Sequence, residues 1–210
     1  MPAVILAALS LLSAVMAILC DAKGSQPLFR VFKPLTMALI ISVALAARPP
    51  VPASYKTLIL AGLLCSLAGD VVLMFPDRWF EAGLVSFMAA HVFYILAFKP
   101  GPGQPFSATI LLPFIIFGLL MFRTLAPSLG RLKLPVLVYI AAITVMAWLA
   151  ASRFIMMGGT RPLLAFAGGI LFLVSDSVLA YDRFAKKLGP AQAIVLGTYF
   201  PAQLLIALSI

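Results

Sequence analysis

Eight long apolar runs, each divided from the next by proline, glycine or charge, take up nearly the whole chain. They lie at approximately 3–20, 34–47, 57–75, 81–98, 107–125, 134–152, 162–181 and 190–209. Most approach the ~20 residues that a helix needs to cross the hydrocarbon core of a bilayer. Arg48-Pro49-Pro50-Val51-Pro52 and Lys99-Pro100-Gly101-Pro102-Gly103 are the plainest breakers between runs. Every connection is short, so no soluble domain is expected. The pattern predicts an all-α, polytopic membrane protein of eight transmembrane helices. The first run, Ala3 to Cys20, has neither a basic segment before it nor a clear cleavage site, and reads as a retained helix.

Polar positions interrupt this pattern in a repeated way. Near the end of the third run stands Leu67-Ala68-Gly69-Asp70-Val71-Val72-Leu73-Met74-Phe75-Pro76-Asp77-Arg78-Trp79-Phe80. Near the end of the seventh stands Leu173-Val174-Ser175-Asp176-Ser177-Val178-Leu179-Ala180-Tyr181-Asp182-Arg183-Phe184. Each sets a small residue and a lone aspartate in an apolar run and then closes on Asp-Arg and an aromatic. Asp70 and Asp176 are 106 positions apart, half of the 210-residue chain. Four crossings restore the chain direction, so the expectation is two parallel four-helix halves, approximately 1–105 and 106–210. A pseudo-two-fold along the membrane normal would relate them.

Lys33-Pro34-Leu35 and Leu134-Pro135-Val136, each opening the second run of its half, echo the repeat. Both aspartates are expected about five residues before their helices end, at equal depth, roughly 8 Å inside the boundary at 1.5 Å per residue. Gly62, Ser66 and Asp70 follow one another at i, i+4, as do Gly168, Phe172 and Asp176. Each series marks one helix face, and small residues there let a neighbouring helix come close.

Composition excludes the soluble classes. The chain is 64% hydrophobic and 10% charged, with a mean hydropathy of +1.16, against about half apolar and a quarter charged in soluble domains. Net charge is +9, but the basic residues sit in the connections rather than in a stripe with aromatics, so no nucleic-acid partner is expected. Connections 1–2, 3–4, 5–6 and 7–8 hold ten of the 15 Lys and Arg residues, the even connections five. The bias predicts cytoplasmic odd connections and both termini on the far side. Cys20 and Cys65 have no disulfide or metal spacing and read as packing residues.

An ionisable residue inside an apolar span is costly, and so marks a candidate functional site. Asp70 and Asp176 are the first candidates. His91 and Tyr94 share a face of the fourth span at i, i+3; Tyr139 lies in the sixth; Tyr199 and Gln203 stand one turn apart in the eighth. Lys33 stands at the start of the second. Each has a plainer use: an interhelical hydrogen bond for His91, interface anchoring for the tyrosines, and snorkelling to headgroups for Lys33. Asp77, Glu81 and Asp182 read as solvated or capping residues at loop edges. One His and two Asp make a poor metal site, so no metal and no cofactor are expected. No glycine-rich phosphate loop, Gly-x-Ser-x-Gly elbow or Cys pair appears. Paired carboxylates in a partly dry cavity can divide labour, one holding a proton and the other ionised to activate water, which suits hydrolysis through an oxocarbenium ion.

Several blocks together resemble the YhhN-like lysoplasmalogenases: Gly69-Asp70-Val71-Val72-Leu73-Met74, Phe87-Met88-Ala89-Ala90-His91-Val92-Phe93-Tyr94 and Leu173-Val174-Ser175-Asp176-Ser177-Val178-Leu179-Ala180. Phe32-Lys33-Pro34-Leu35 and Tyr199-Phe200-Pro201-Ala202-Gln203 are similar to family positions as well. The resemblance covers nearly the whole chain. It implies an eight-span enzyme that hydrolyses the vinyl ether bond of lysoplasmalogens to a fatty aldehyde and a glycerophospho-base. Asp70, Asp176 and His91 would then be catalytic, and Lys33, Tyr94, Tyr139, Tyr199 and Gln203 would bind substrate, with Lys33 meeting the phosphate. The implied partners are the lysophospholipid and membrane lipids, with a homo-oligomer left open. The setting would be a bacterial inner membrane or the endoplasmic reticulum. Two rival classes also fit parts of the pattern: a proton-coupled transporter, which needs room for alternating access, and a non-enzymatic lipid-binding or scaffold protein, which has no need of duplicated aspartates.

Overall fold

A computed structural model describes residues 2–47, 51–101 and 107–210. The breakers Arg48-Pro49-Pro50 and Pro102-Gly103 lie outside the described residues. Among the described residues eight helices follow one another: α1 Pro2–Ala22, α2 Gln26–Ala46, α3 Ala53–Val72, α4 Pro76–Phe98, α5 Leu111–Leu125, α6 Lys133–Met157, α7 Thr160–Phe184 and α8 Ala191–Leu208. Two single-turn 3₁₀ segments link α5 to α6. All eight are long and apolar enough to cross a membrane, and the chain is an integral, multi-pass membrane protein.

The helix order matches the hydrophobic pattern, with one correction. The second helix starts at Gln26, eight residues earlier than the apolar run, so Lys33-Pro34 does not open it but sits in its third turn. Proline is usually costly there because it lacks an N–H and crowds the preceding turn. Membrane helices tolerate it where hydroxyls re-satisfy the freed backbone groups. Two residues on, Thr36 Oγ1 lies 2.8 Å from both Phe32 O and Ser13 Oγ, and Ser13 Oγ reaches Phe32 O at 3.3 Å, which ties α2 to α1 beside the proline rather than replacing its lost bond to Arg30 O. The same early start carries Lys33 below the surface. Pro201 likewise lies within α8, and α4 departs from helical geometry at Trp79 (φ −123°, ψ 17°).

Helices α1–α2, α2–α3 and α3–α4 pack in sequence, as do α5–α6, α6–α7 and α7–α8. Across the chain, α4 packs on α6 and α2 on α8, while α1 also meets α8. The counterpart of that last contact, α4 against α5, is at most glancing.

Lipid offers no hydrophobic drive between helices, so close steric fit has to hold them. The two i, i+4 series supply it. A Cβ on Gly62 would stand 2.3 Å from the Tyr94 ring, so α4 seats its tyrosine against bare α3 backbone. A Cβ on Gly168 would stand 2.8 Å from Ala202 O, and α8 approaches α7 in the same manner. Phe172, fully buried, then sits among the rings of His91, Tyr199, Phe87 and Tyr94 at centroid distances of 4.8, 5.6, 6.2 and 6.3 Å. Such aromatic pairs contribute about 0.5–1.5 kcal/mol each beyond the area they bury. The cluster lies directly behind the two aspartates.

Candidate active site

Asp70 and Asp176 both line one polar cavity of about 270 Å³ at the end of the bundle that carries the odd-numbered connections. Their depths along the helices differ from the expectation. Asp70 lies two residues before α3 ends at Val72, and Asp176 eight before α7 ends at Phe184. Helix α7 runs on eight residues beyond Asp176 to Phe184, which is why counting from helix ends misleads.

Each aspartate receives a partner from its own half and one from the other half. Lys33 Nζ of α2 lies 3.2 Å from Asp70 Oδ1, and Tyr199 of α8 donates its hydroxyl to Asp70 Oδ2 at 2.5 Å. Tyr139 of α6 donates to Asp176 Oδ2, and His91 Nε2 of α4 stands 3.6 Å from the same oxygen. Lys33 and Tyr139 are 139 − 33 = 106 positions apart, the same offset as the aspartates. Tyr94 and Tyr199 are 105 apart, but only Tyr199 reaches a carboxylate.

The partners differ chemically, and that divides the pair. Asp70 is nearly fully buried and has an ammonium against it, a countercharge that lowers the cost of its ionised form. Among the described residues Asp176 has hydroxyl and imidazole neighbours but no Lys or Arg ion pair. A carboxyl in apolar surroundings without a countercharge is less costly neutral. His91 is fully buried, with neither ring nitrogen in a hydrogen bond. Edge contacts to Tyr139 (5.0 Å) and Phe172 (4.8 Å) hold its ring.

Among the candidates, then, Lys33, Asp70, Asp176 and Tyr199 meet in the polar cavity, and Tyr139 joins them from an adjoining apolar one. His91 stands behind Asp176 rather than on a cavity wall. Tyr94 and Gln203 line neither cavity: the Tyr94 hydroxyl donates to Gln203 Oε1 at 2.7 Å in the packed interior. The helical spacing that put His91 and Tyr94 on one face was correct, but three residues along a helix shift their contacts to different neighbours.

The sequence pattern did not single out the cavity mouth. Gln26, Arg183, Lys187 and Gln192 stand there, and Phe29, Phe80 and Phe87 form its walls. Arg183 belongs to the repeated Asp-Arg pair, the one signal that pointed to it. Its guanidinium lies over the Phe80 ring at 4.8 Å from the centroid. Asp182 is engaged locally, accepting from Leu188 N and Lys187 Nζ at 2.8 Å each. Glu81 pairs with Arg131 across the outer surface at 2.5 Å. The Asp77 side chain lies outside the described residues. Among the described residues no three His, Cys, Asp or Glu side chains cluster as a metal site would require.

A helical membrane protein whose buried carboxylates share a cavity at one bundle end is the class that these features define. The profile of the YhhN family matches residues 28–210, and the chain belongs to that family. It is 36% identical over 165 residues to the human lysoplasmalogenase TMEM86B, covering 74% of this chain and 64% of that protein. It is 34% identical over 158 residues to the bovine lysoplasmalogenase TMEM86A, covering 73% and 65%. It is 28% identical over 180 residues to the membrane protein YhhN of Escherichia coli O157:H7, covering 86% of each. The chain thus spans just under two thirds of the mammalian relatives' length. No solved structure matches.

Proposed function

We propose that this protein hydrolyses the vinyl ether bond of lysoplasmalogens, releasing a fatty aldehyde and a glycerophospho-base. The observation that carries the reading is the unlike environment of the two cavity aspartates, Asp70 beside Lys33 and Asp176 beside Tyr139 and His91. The names of the mammalian relatives supply the substrate class.

Vinyl ether hydrolysis starts with proton transfer to the β-carbon of the alkenyl group, which turns the ether carbon into an oxocarbenium ion. Asp176 holds the proton and donates it. Asp70, ionised beside Lys33, stabilises the cation and takes a proton from the attacking water. The resulting hemiacetal then collapses: Asp70 returns its proton to the departing glycerol oxygen, and ionised Asp176 takes the hemiacetal hydroxyl proton, which releases the aldehyde and restores both carboxyls. Water supplies the oxygen of the aldehyde and the hydrogen of the new hydroxyl, so no redox partner is needed.

Tyr139 holds the Asp176 carboxyl with the His91 imidazole packed behind it, and Tyr199 holds that of Asp70. Tyr94 and Gln203 support the wall behind them. Lys33 is thus assigned to the dyad rather than to the phosphate. The mouth cations Arg183 and Lys187 are better placed for a headgroup phosphodiester. The two offset-related pairs, Asp70 with Lys33 and Asp176 with Tyr139, also support reading residues 1–105 and 106–210 as a duplicated unit. Both would have diverged in chemistry at one partner position.

The test is aldehyde release from lysoplasmenylcholine by purified protein in detergent. Turnover by the wild type is expected, with loss of it in Asp176→Asn and Asp70→Asn. A wild type silent on every vinyl ether lipid would remove the proposal, and solute counterflow in proteoliposomes would then test for a carrier.

A further inference from the structure

A second, narrower cavity of about 50 Å³ adjoins the polar one, and apart from Asp176 and Tyr139 the proposed chemistry leaves its lining unused. Leu84 of α4, Phe117 and Met121 of α5, and Val136 and Ile143 of α6 line it, and almost every exposed atom inside is apolar. Its polar members, Tyr139, Asp176 and Ser177, gather on one side. Leu73, Phe80, Phe87, Asp176 and Leu179 belong to both cavities, so the two chambers abut at the Asp176 carboxyl. One chamber is polar with cations at its mouth; the other is hydrocarbon-lined.

The apolar chamber also lies where the bundle's internal pattern fails. Helices α1 and α8 pack together, whereas α4 and α5, which would correspond to α8 and α1 in a duplicated bundle, hardly touch. The chamber has walls on both sides of that seam. Helix α5 is the least buried of the eight spans, and its outer residues Leu112, Leu119 and Leu120 are about 60% exposed. The wall on this side is therefore a single helix standing against the bilayer.

We propose that the apolar chamber is the binding site for the single hydrocarbon chain of the substrate, and that the α4–α5 seam is the side opening through which the chain passes to and from the bilayer. The inference rests on the hydrolase reading for the identity of the lipid. A one-chain lipid is the occupant that fits, because the two chambers share one carboxyl-bearing wall. The chain then lies on the α5–α6 side, the glycerophospho-base in the polar cavity, and the vinyl ether at their junction. A second acyl chain would have to occupy the polar chamber beside Lys33 and Asp70. The product aldehyde stays in the hydrocarbon chamber and leaves sideways, while the water-soluble glycerophospho-base leaves through the mouth.

The experiment compares wild type with Met121→Trp and Ile143→Phe on lysoplasmalogens bearing C16 and C8 alkenyl chains. Both substitutions fill the chamber away from the carboxylates. The expected result is a fall of tenfold or more in the C16-to-C8 ratio of kcat/KM. A ratio within twofold of wild type in folded variants would overturn the proposal. Should the variants not fold, wild type is labelled with a lysophospholipid carrying a diazirine at its chain end. Adducts within 117–143 on chamber residues support the site; adducts confined to Leu112, Leu119 and Leu120 overturn it. Chamber labelling in a protein that cleaves no vinyl ether would keep the chain site and remove the hydrolase reading, so the two failures are distinguishable.

Discussion

Lys33 Nζ lies 3.2 Å from Asp70 Oδ1 on the wall of the polar cavity, with both side chains less than a tenth exposed. Burying two charges costs hydration that their attraction only partly restores, and removing one partner strands the other, typically at about 3–5 kcal/mol. Lys33→Met is therefore expected to lower the melting temperature in detergent markedly. Adding Asp70→Asn to Lys33→Met should recover much of that loss, because no bare charge then remains. The four proteins form a double-mutant cycle, and additive effects would mean that the pair is not coupled.

Activity should separate from stability at Asp176. General acid–base groups contribute about 10²–10⁴-fold, so Asp176→Asn is expected to lose at least a hundredfold in kcat while eluting and melting like wild type. If Asp176→Asn keeps wild-type turnover, the carboxyl is structural. A solvent isotope effect on kcat, expected from rate-limiting proton transfer to carbon, tests the same step in the wild type.

Tyr199→Phe and Tyr139→Phe each remove one hydroxyl from a carboxyl. A hydrogen bond to a charged group is worth about 1.5–3 kcal/mol. Tyr199, facing the member proposed to be ionised, should therefore matter more to stability. Tyr139, facing the proton donor, should show its effect mainly in kcat, by about tenfold if a little over 1 kcal/mol is lost at the transition state. Steady-state kinetics beside thermal unfolding in one detergent reads both.

Close helix contact gives a sharper structural test. A Cβ at Gly62 would meet the fully buried Tyr94 ring at 2.3 Å, whereas the nearest atom to a Cβ at Gly169 is the Ala150 Cβ at 3.5 Å. Overpacking costs about 1–3 kcal/mol, and an alanine that fits a helix gains up to about 1 kcal/mol over glycine. Gly62→Ala should lower the melting temperature and Gly169→Ala should leave it unchanged or raise it.

Arg183 is exposed at the mouth, over Phe80. A surface cation near a lipid phosphate is worth about 1 kcal/mol, so Arg183→Gln is expected to raise KM several-fold on a phospholipid substrate with kcat little changed. The same variant should be indifferent to a 1-alkenylglycerol that has no phosphate. Equal effects on both substrates would remove Arg183 from headgroup recognition.

Length and polarity along the chain were enough to determine eight membrane helices, their order, and the cost of keeping Asp70 and Asp176 among apolar neighbours. That follows because the bilayer imposes a fixed span and a severe penalty on charge, both legible residue by residue. The i, i+4 series through Gly62 and Gly168 likewise gave the faces on which α4 and α8 would come close. Tertiary structure decided what the aspartates touch. The early start of α2 turned Lys33 from a headgroup contact into the buried partner of Asp70, because the polar residues Gln26 and Arg30 hid the first turns of a helix whose apolar run begins later. Tertiary packing also sent Tyr94 to Gln203 and Tyr199 to Asp70, although the two tyrosines stand 105 positions apart, close to the spacing of the aspartates. Which side chain meets which carboxyl depends on helix rotation and on contacts between halves more than a hundred residues apart, and no local pattern encodes those. The chamber beside Asp176 belongs to the same category, since it exists only where α4 and α5 leave a seam.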